Sequence, residues 1–413
     1  MKTTESESML PGHTNAPVFE TFGLPSPVDS RVFWEEVRRR GTPYVSRSGN
    51  ERSVTFLYRS GTAAQVYLEA NRLTDKHRID QGRMNLIADT DVWWATLDVD
   101  ADSVFSYGFR ALATGGEGLA HAVALQRRAG IPAVADPFNR GETINANGTG
   151  PLSVCSMDEA SATGVWDGAA AQTVRGKLTH SAVWLPAVGR TARQWMYTPA
   201  PGSPKPLRLL VLTDPEIWFG RLHLAAALES AVASGEVEPV AVVGIATRDN
   251  AERLELLGAN HAFVDDLASV IVPAARTALE ETHLLRGLGE TVLAGQSLGG
   301  LTALLAALRK PEVFGTVLAH SPSLWWMPDG SVTPANYTHV HQPWITGRFA
   351  SEPGTSARID LRVGTREDIT NDHVDQLQQV LLDRGYDSAS ARFSGGHDFS
   401  CWRHVLIEGL KED

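Results

Sequence analysis

Cysteine is nearly missing from this chain: only Cys155 and Cys401 occur among 413 residues, far apart in sequence. A chain of this length needs no covalent staples, so a disulfide framework is excluded, and each thiol reads as a small buried apolar residue. Long apolar runs are missing too. The best, Leu301 to Leu308, is far short of the about 20 residues that cross hydrocarbon, which excludes a membrane as partner. The opening Met-Lys-Thr-Thr-Glu-Ser-Glu-Ser has no apolar run behind its single cation, so it does not read as a secretory leader and the expected compartment is cytoplasmic. Cations are in deficit, 37 Lys and Arg against 48 Asp and Glu, for a net charge of −11. That balance argues against nucleic acid, whose binding rests on neutralising phosphates. An anionic small substrate would need a local cluster of arginines to outweigh the overall field. Finally, there is no H-E-x-x-H or Cys/His spacing, no P-loop and no G-x-G-x-x-G in an α/β setting, so neither metal nor cofactor is expected.

What is present is ordinary globular material, 43% hydrophobic and 21% charged, long enough for a domain of about 250 residues and a smaller one. Residues 1–27 are rich in Ser, Thr and Pro without periodicity and read as a mobile tail. Asp29-Ser30 ahead of Val32, Phe33, Trp34 and Val37, with Gly41 and Pro43 behind, is a capped helix. Its Arg38-Arg39-Arg40 run complements the helix dipole in the last turn. From Ser53 to Leu112, short β-branched and aromatic segments between turn residues predict a small all-β, Ig-like sandwich over 28–135. Residues 136–173, with Asp-Pro-Phe-Asn-Arg-Gly, Asn-Ala-Asn-Gly-Thr-Gly and an Ala/Ser stretch, read as a linker loop. Over 174–413, after two further β-like stretches, apolar strands at 207–212, 240–245, 291–294, 316–319 and 358–363 alternate with amphipathic helices. That alternation predicts a mostly parallel, doubly wound α/β sheet.

The chemistry concentrates in Thr-Val-Leu-Ala-Gly-Gln-Ser-Leu-Gly-Gly-Leu-Thr-Ala-Leu-Leu-Ala, a strand, a tight turn and a helix in succession. This is the setting of a nucleophile elbow, with Gly295 and Gly299 making room for the turn, Gly300 letting the helix pack closely and Ser297 lifted out at the sheet edge. A serine hydroxyl needs a base, and the α/β-hydrolase order is Ser, acid, His. His397, in the glycine loop Ser-Gly-Gly-His after a strand at 388–393, fits as that base. The orienting acid should follow the strand ending at Val363, where Glu367 and Asp368 are both available. For the oxyanion, one donor should be Leu298 N–H. Because Pro215 has no N–H, the second should be Glu216, in the exit loop of the 207–212 strand.

Several longer segments then resemble the enterochelin (ferric enterobactin) esterase family: Trp93 in Thr-Asp-Val-Trp, Asp136-Pro137-Phe138-Asn139, Leu212-Thr213-Asp214 with Trp218, Ser321-Pro322-Ser323-Leu324-Trp325-Trp326, and Gly395-Gly396-His397-Asp398 followed by Cys401-Trp402-Arg403. The resemblance runs over about nine tenths of the chain. It implies a cytoplasmic serine esterase that opens the trilactone of a ferric tris-catecholate siderophore, with iron entering only as part of the substrate. It favours Glu367 over Asp368 as the acid. Pro215, where the family often has Gly, and the Asn/Gly/Ala-rich stretch near 141–170 depart from its pattern. A bulky aromatic trianion calls for Arg and Trp together. Trp325, Trp326, Arg366, Trp402 and Arg403 are therefore candidate substrate contacts, and the loop carrying Arg72 and Arg78 a basic lid. Competing readings are a general carboxylesterase of feruloyl or thioester type with the same triad, and a non-catalytic siderophore-binding protein.

Overall fold

The computed structural model describes residues 18–113, 118–146, 150–160, 164–202 and 205–411. Asp29 caps the helix Ser30–Arg40 by accepting from Val32 N–H at 3.2 Å, and Phe33, Trp34 and Val37 bury its inner face. Of the expected mobile tail, residues 1–17 lie outside the described residues. Residues 18–27 differ from the expectation: Val18–Thr21 is a short helix, and Leu24 is buried with Trp34 and Phe138. Arg40 fastens this stretch by donating to the Phe22 carbonyl at 2.6 Å.

The sandwich is two antiparallel sheets. One has β1 (Tyr44–Ser48), β2 (Glu51–Arg59), β5 (Val92–Asp100) and β4 (Asn85–Leu86) in the order β1-β2-β5-β4. In β5, Trp93, Ala95, Leu97 and Val99 point inward while Trp94, Thr96, Asp98 and Asp100 point outward, the period-2 alternation of a half-buried strand. The other sheet orders β3 (Gln65–Ala70), β6 (Val104–Leu112), β8 (Leu152–Ser156) and β7 (Thr143–Ile144) as β3-β6-β8-β7.

The last two strands correct the sequence reading, because they lie within the segment taken as a linker loop. β8 pairs with β6 through Phe105 and Cys155 and with β7 through Thr143 and Ser153, so the sandwich runs on past residue 135. Asp136-Pro137-Phe138-Asn139 is likewise no free connection. The buried Asp136 carboxylate accepts from Thr42 Oγ1 at 2.7 Å, Tyr107 Oη at 2.9 Å and Phe138 N–H at 2.9 Å, which ties the segment to the sandwich core.

The second domain is built on one sheet with the order β16-β15-β14-β13-β11-β12-β10-β9. β9 (Lys177–Leu185) and β10 (Arg190–Thr198) are antiparallel, while β11 (Arg208–Leu212), β12 (Val240–Ala246), β13 (Thr291–Gln296), β14 (Phe314–His320), β15 (Arg358–Gly364) and β16 (Ser388–Phe393) run parallel. Leu209 and Val211 of β11 feed the core on one face, Leu210 and Leu212 the core on the other. This is the α/β-hydrolase arrangement, in which both faces of a parallel sheet are covered and reactive groups emerge at the C-terminal strand ends. Cys155 and Cys401 are both free and buried. Burial pushes each thiol up to about 12, so neither is a nucleophile.

Candidate active site

Three strand ends converge. Ser297 follows β13 and precedes the helix Leu298–Arg309, in the strained conformation φ 58°, ψ −118°. The turn is possible because its neighbours lack side chains: a Cβ on Gly299 would collide with Thr213 Oγ1, and one on Gly295 with the Gly299 backbone. Ser297 N–H donates to the His320 carbonyl at 2.9 Å, which stitches the turn to β14.

His397, on the loop after β16, stands with Nε2 3.1 Å from Ser297 Oγ and Nδ1 2.7 Å from Glu367 Oε2. Trp402, on the following helix, packs edge-on against the imidazole with ring centroids 4.7 Å apart. Glu367, beyond β15, is wholly buried. Burial alone would raise its carboxyl, but the facing His397 charge and the hydrogen bonds from His397, the Ser321 hydroxyl and Gly364 N–H outweigh it, so the group lies below the usual range. Trp402 Nε1 donates to Ser321 Oγ at 2.9 Å, bracing that hydroxyl from behind. Asp368 turns the other way and pairs with Arg78 of the sandwich. An imidazole held between a buried carboxylate and a strained hydroxyl is the arrangement that activates oxygen for attack on an acyl carbon.

Ser297 opens into a cavity of about 700 Å³ between the domains, lined from the sandwich by Asn71, Asp75 and Ser106 and from the sheet edge by Glu216, Arg221, Arg248, Arg253, His397 and Trp402. Leu298 begins the helix after Ser297, so its N–H belongs to the first helical turn, where amides lack intrahelical partners. Glu216 stands in the short helix Pro215–Trp218, capped by Asp214 in left-handed conformation. Asp214 is buried and held by Arg253 at 2.6 and 2.8 Å and by Gln296 Nε2 at 2.5 Å, a strut beneath β13.

The Glu216 carboxyl is pushed up to about 7, by burial first and then by the Asp214 charge, against hydrogen bonds from its own N–H and from Thr247. A carboxyl raised from 4.5 to about 7 in the fold costs nothing below pH 4.5, increasingly more between the two values, and its full penalty above pH 7. A Glu216→Gln variant should therefore melt about 2–5 °C above the parent at pH 8. Differential scanning calorimetry should show that gap closing by pH 4.5, and an equal gap at both pH values would refute this origin.

Most of the expected substrate contacts are elsewhere. Of Trp325, Trp326, Arg366, Trp402, Arg403, Arg72 and Arg78, only Trp402 lines this cavity. Trp325 and Trp326 pack on the main hydrolase core, Trp326 edge-on to Trp344 at 5.2 Å. Arg403 is held by Glu142, with its guanidinium 5.7 Å over Trp166. Arg366 reaches back to Ser103 Oγ at 3.0 Å and Asp100 at 3.3 Å. Arg72 is buried at the sandwich corner, and Arg78 is engaged by Asp368. The cations that do line the cavity are Arg221, Arg248 and Arg253. Their signal in the sequence was their position just past the β11 and β12 ends, where α/β sheets gather their ligands.

Comparison with known proteins now decides the family. The enterochelin esterase N-terminal family model matches residues 53–166 and the esterase family model residues 187–412. An iron(III) salmochelin esterase of Escherichia coli O6:H1 is 37% identical over 382 residues, 92% of this chain and 92% of that protein. The chain belongs to the enterochelin esterase family. This family member is a carboxylic ester hydrolase. An iron(III) enterobactin esterase of Dickeya dadantii is 28% identical, with 92% of each chain covered. Among solved structures, the enterobactin esterase of Shigella flexneri in the presence of enterobactin superposes with a TM-score of 0.76 at 25% identity, covering 94% of this chain and 98% of that one. The ferric enterobactin esterase of Salmonella typhimurium gives 0.77 at 25% identity, covering 92% and 98%. Among the described residues, no helix is long and apolar enough to cross a membrane.

Proposed function

We propose that this esterase hydrolyses the ester bonds of a trilactone siderophore carrying catecholates, taken as its ferric complex in the cytoplasm. The observation that carries the reading is the hydrogen-bonded series Ser297, His397, Glu367 opening into a cavity walled by both domains, in a chain similar across both domains to siderophore esterases. Ser297 Oγ attacks the lactone carbonyl while His397 Nε2 takes its proton. Leu298 N–H holds the oxyanion, Glu216 N–H, the second donor expected, being turned to its own carboxyl, and the imidazolium then protonates the departing alkoxide. Water, deprotonated in turn by His397, releases the acyl group from Ser297. Glu367 keeps Nδ1 protonated and stabilises the imidazolium. Of the cavity arginines, Arg253 is already held by Asp214 and Arg248 by Glu252, so Arg221, whose Nη1 donates to the Ala146 carbonyl at 2.6 Å, is the cation best placed to meet a trianion. No resident cofactor takes part; iron belongs to the substrate, and opening the trilactone weakens the chelate.

Incubation with ferric enterobactin, followed by liquid chromatography and mass spectrometry, should yield linear trimer, dimer or monomer. Intact ferric and iron-free trilactones after incubation with enzyme that still cleaves a nitrophenyl ester would reject the substrate.

A further inference from the structure

The two glycines before His397 are bare for a reason that acyl chemistry does not supply. A Cβ on Gly396 would stand 2.6 Å from Asn71 Oδ1 and 2.6 Å from Arg72 Cβ, both on the sandwich. One on Gly395 would collide first with Cys401 Sγ of its own domain's last helix and would also stand 2.9 Å from the Val104 carbonyl of the sandwich. Real side chains do not tolerate such approaches, so the loop is stripped to let the other domain lie against it.

The contact is polar and continuous. Val104 N–H donates to the Ser394 carbonyl at 3.1 Å, Asn71 Nδ2 to the His397 carbonyl at 3.1 Å, and Ser106 N–H to Asp398 Oδ2 at 2.8 Å. Cys401 Sγ returns a bond to the Val104 carbonyl at 3.1 Å. The sandwich thus grips the chain before, at and after His397. Arg72, beside Asn71, is held at φ 56° and only 8% exposed, so this corner is fixed by its surroundings rather than by its own preference.

We propose that the sandwich domain fixes the catalytic histidine, with Asn71 as the positioning residue whose amide N–H holds the His397 carbonyl. The inference rests on His397 being the general base. The imidazole stands on a loop that extends from the sheet edge, and a shift of about 1 Å in a catalytic group can cost about a hundredfold in rate. The Asn71 amide orientation is dictated by its partner, since only its NH₂ can face a carbonyl oxygen.

The test uses the full chain and p-nitrophenyl acetate, a small ester that needs no contact with the sandwich. Active sites are counted by stoichiometric labelling with a fluorophosphonate. Asn71→Ala and Asn71→Asp should each lower kcat per labelled site, and the rate of labelling, about ten- to a hundredfold, with KM within twofold and the melting midpoint unchanged. Asn71→Asp keeps the size and loses the donor, so it separates the hydrogen bond from packing. The proposal is overturned if either variant keeps the parent rates. It is equally overturned if the loss follows a fallen melting midpoint and labelled fraction while the rate per labelled site stays constant. His397→Ala, run in parallel, tests the base itself: full activity there would remove the reading on which the proposal rests, whereas an inactive His397→Ala beside fully active Asn71 variants would remove the proposal alone.

Discussion

Replacing Ser297 by alanine is expected to lower kcat by about 10⁴–10⁶-fold while KM for the same ester changes little, because the lost group acts in the chemical step and not in binding. The hydroxyl stands 3.1 Å from His397 Nε2 and opens on the cavity. Ser323 Oγ stands 3.2 Å from Ser297 Oγ. Steady-state rates on an aryl ester and on ferric enterobactin, with circular dichroism to verify folding, decide the matter. A loss below tenfold would mean that Ser297 is not the nucleophile.

The second large effect separates two neighbouring carboxylates. Glu367→Gln is expected to cost about 10³–10⁴-fold in kcat, whereas Asp368→Asn, which breaks a partly exposed pair with Arg78, should stay within about threefold. The size of the first effect follows from the hydrogen bonds around the carboxyl. Glu367 Oε1 accepts from Gly364 N–H and from the Ser321 hydroxyl, so a glutamine carbonyl would be pinned at that position and its NH₂ turned toward His397 Nδ1. The imidazole would then accept at Nδ1 and carry its proton on Nε2, the tautomer that cannot deprotonate serine. Equal losses in the two variants would reject Glu367 as the orienting acid.

That Ser297 and His397 would meet was legible because their signals are local. A strand, a Gly-bounded turn and a helix are adjacent in the chain, and the α/β order then points to a late histidine. The acid was open between two residues by sequence spacing alone. Adjacent residues of a turn face opposite ways, and the direction is set by what meets them: Ser321 and Gly364 for Glu367, Arg78 for Asp368. The strands β7 and β8 were invisible for a different reason. Thr143–Ile144 is two residues long among Asn and Gly, and only its pairing with Leu152–Ser156 makes it a strand. Most of the candidate substrate contacts lie outside the cavity because nearness in sequence is not direction. Trp325 and Trp326 follow Ser321 closely, yet their rings turn back onto the core. The cavity arginines come instead from segments around the β11 and β12 exits, and no motif had singled out Arg221, Arg248 or Arg253.

Among the described residues, five of the eight non-glycine residues with positive φ, Arg72, Asp214, Ser297, Ser321 and Asp368, stand at or beside the segments that carry Ser297, His397 and Glu367, with φ between 44° and 58°. Each such residue costs about 1–2 kcal/mol. Together they approach the whole net stability of an ordinary domain, about 5–15 kcal/mol. Backbone strain is therefore concentrated beside the Ser297–His397 pair, kept in shape by contacts from two separately packed cores. Amide exchange should begin at these five turns before it reaches the β11 and β13 strands beneath them. A bound ester that bridges the two domains would slow it there first, because its binding would hold in place the same turns that the surrounding contacts hold under strain.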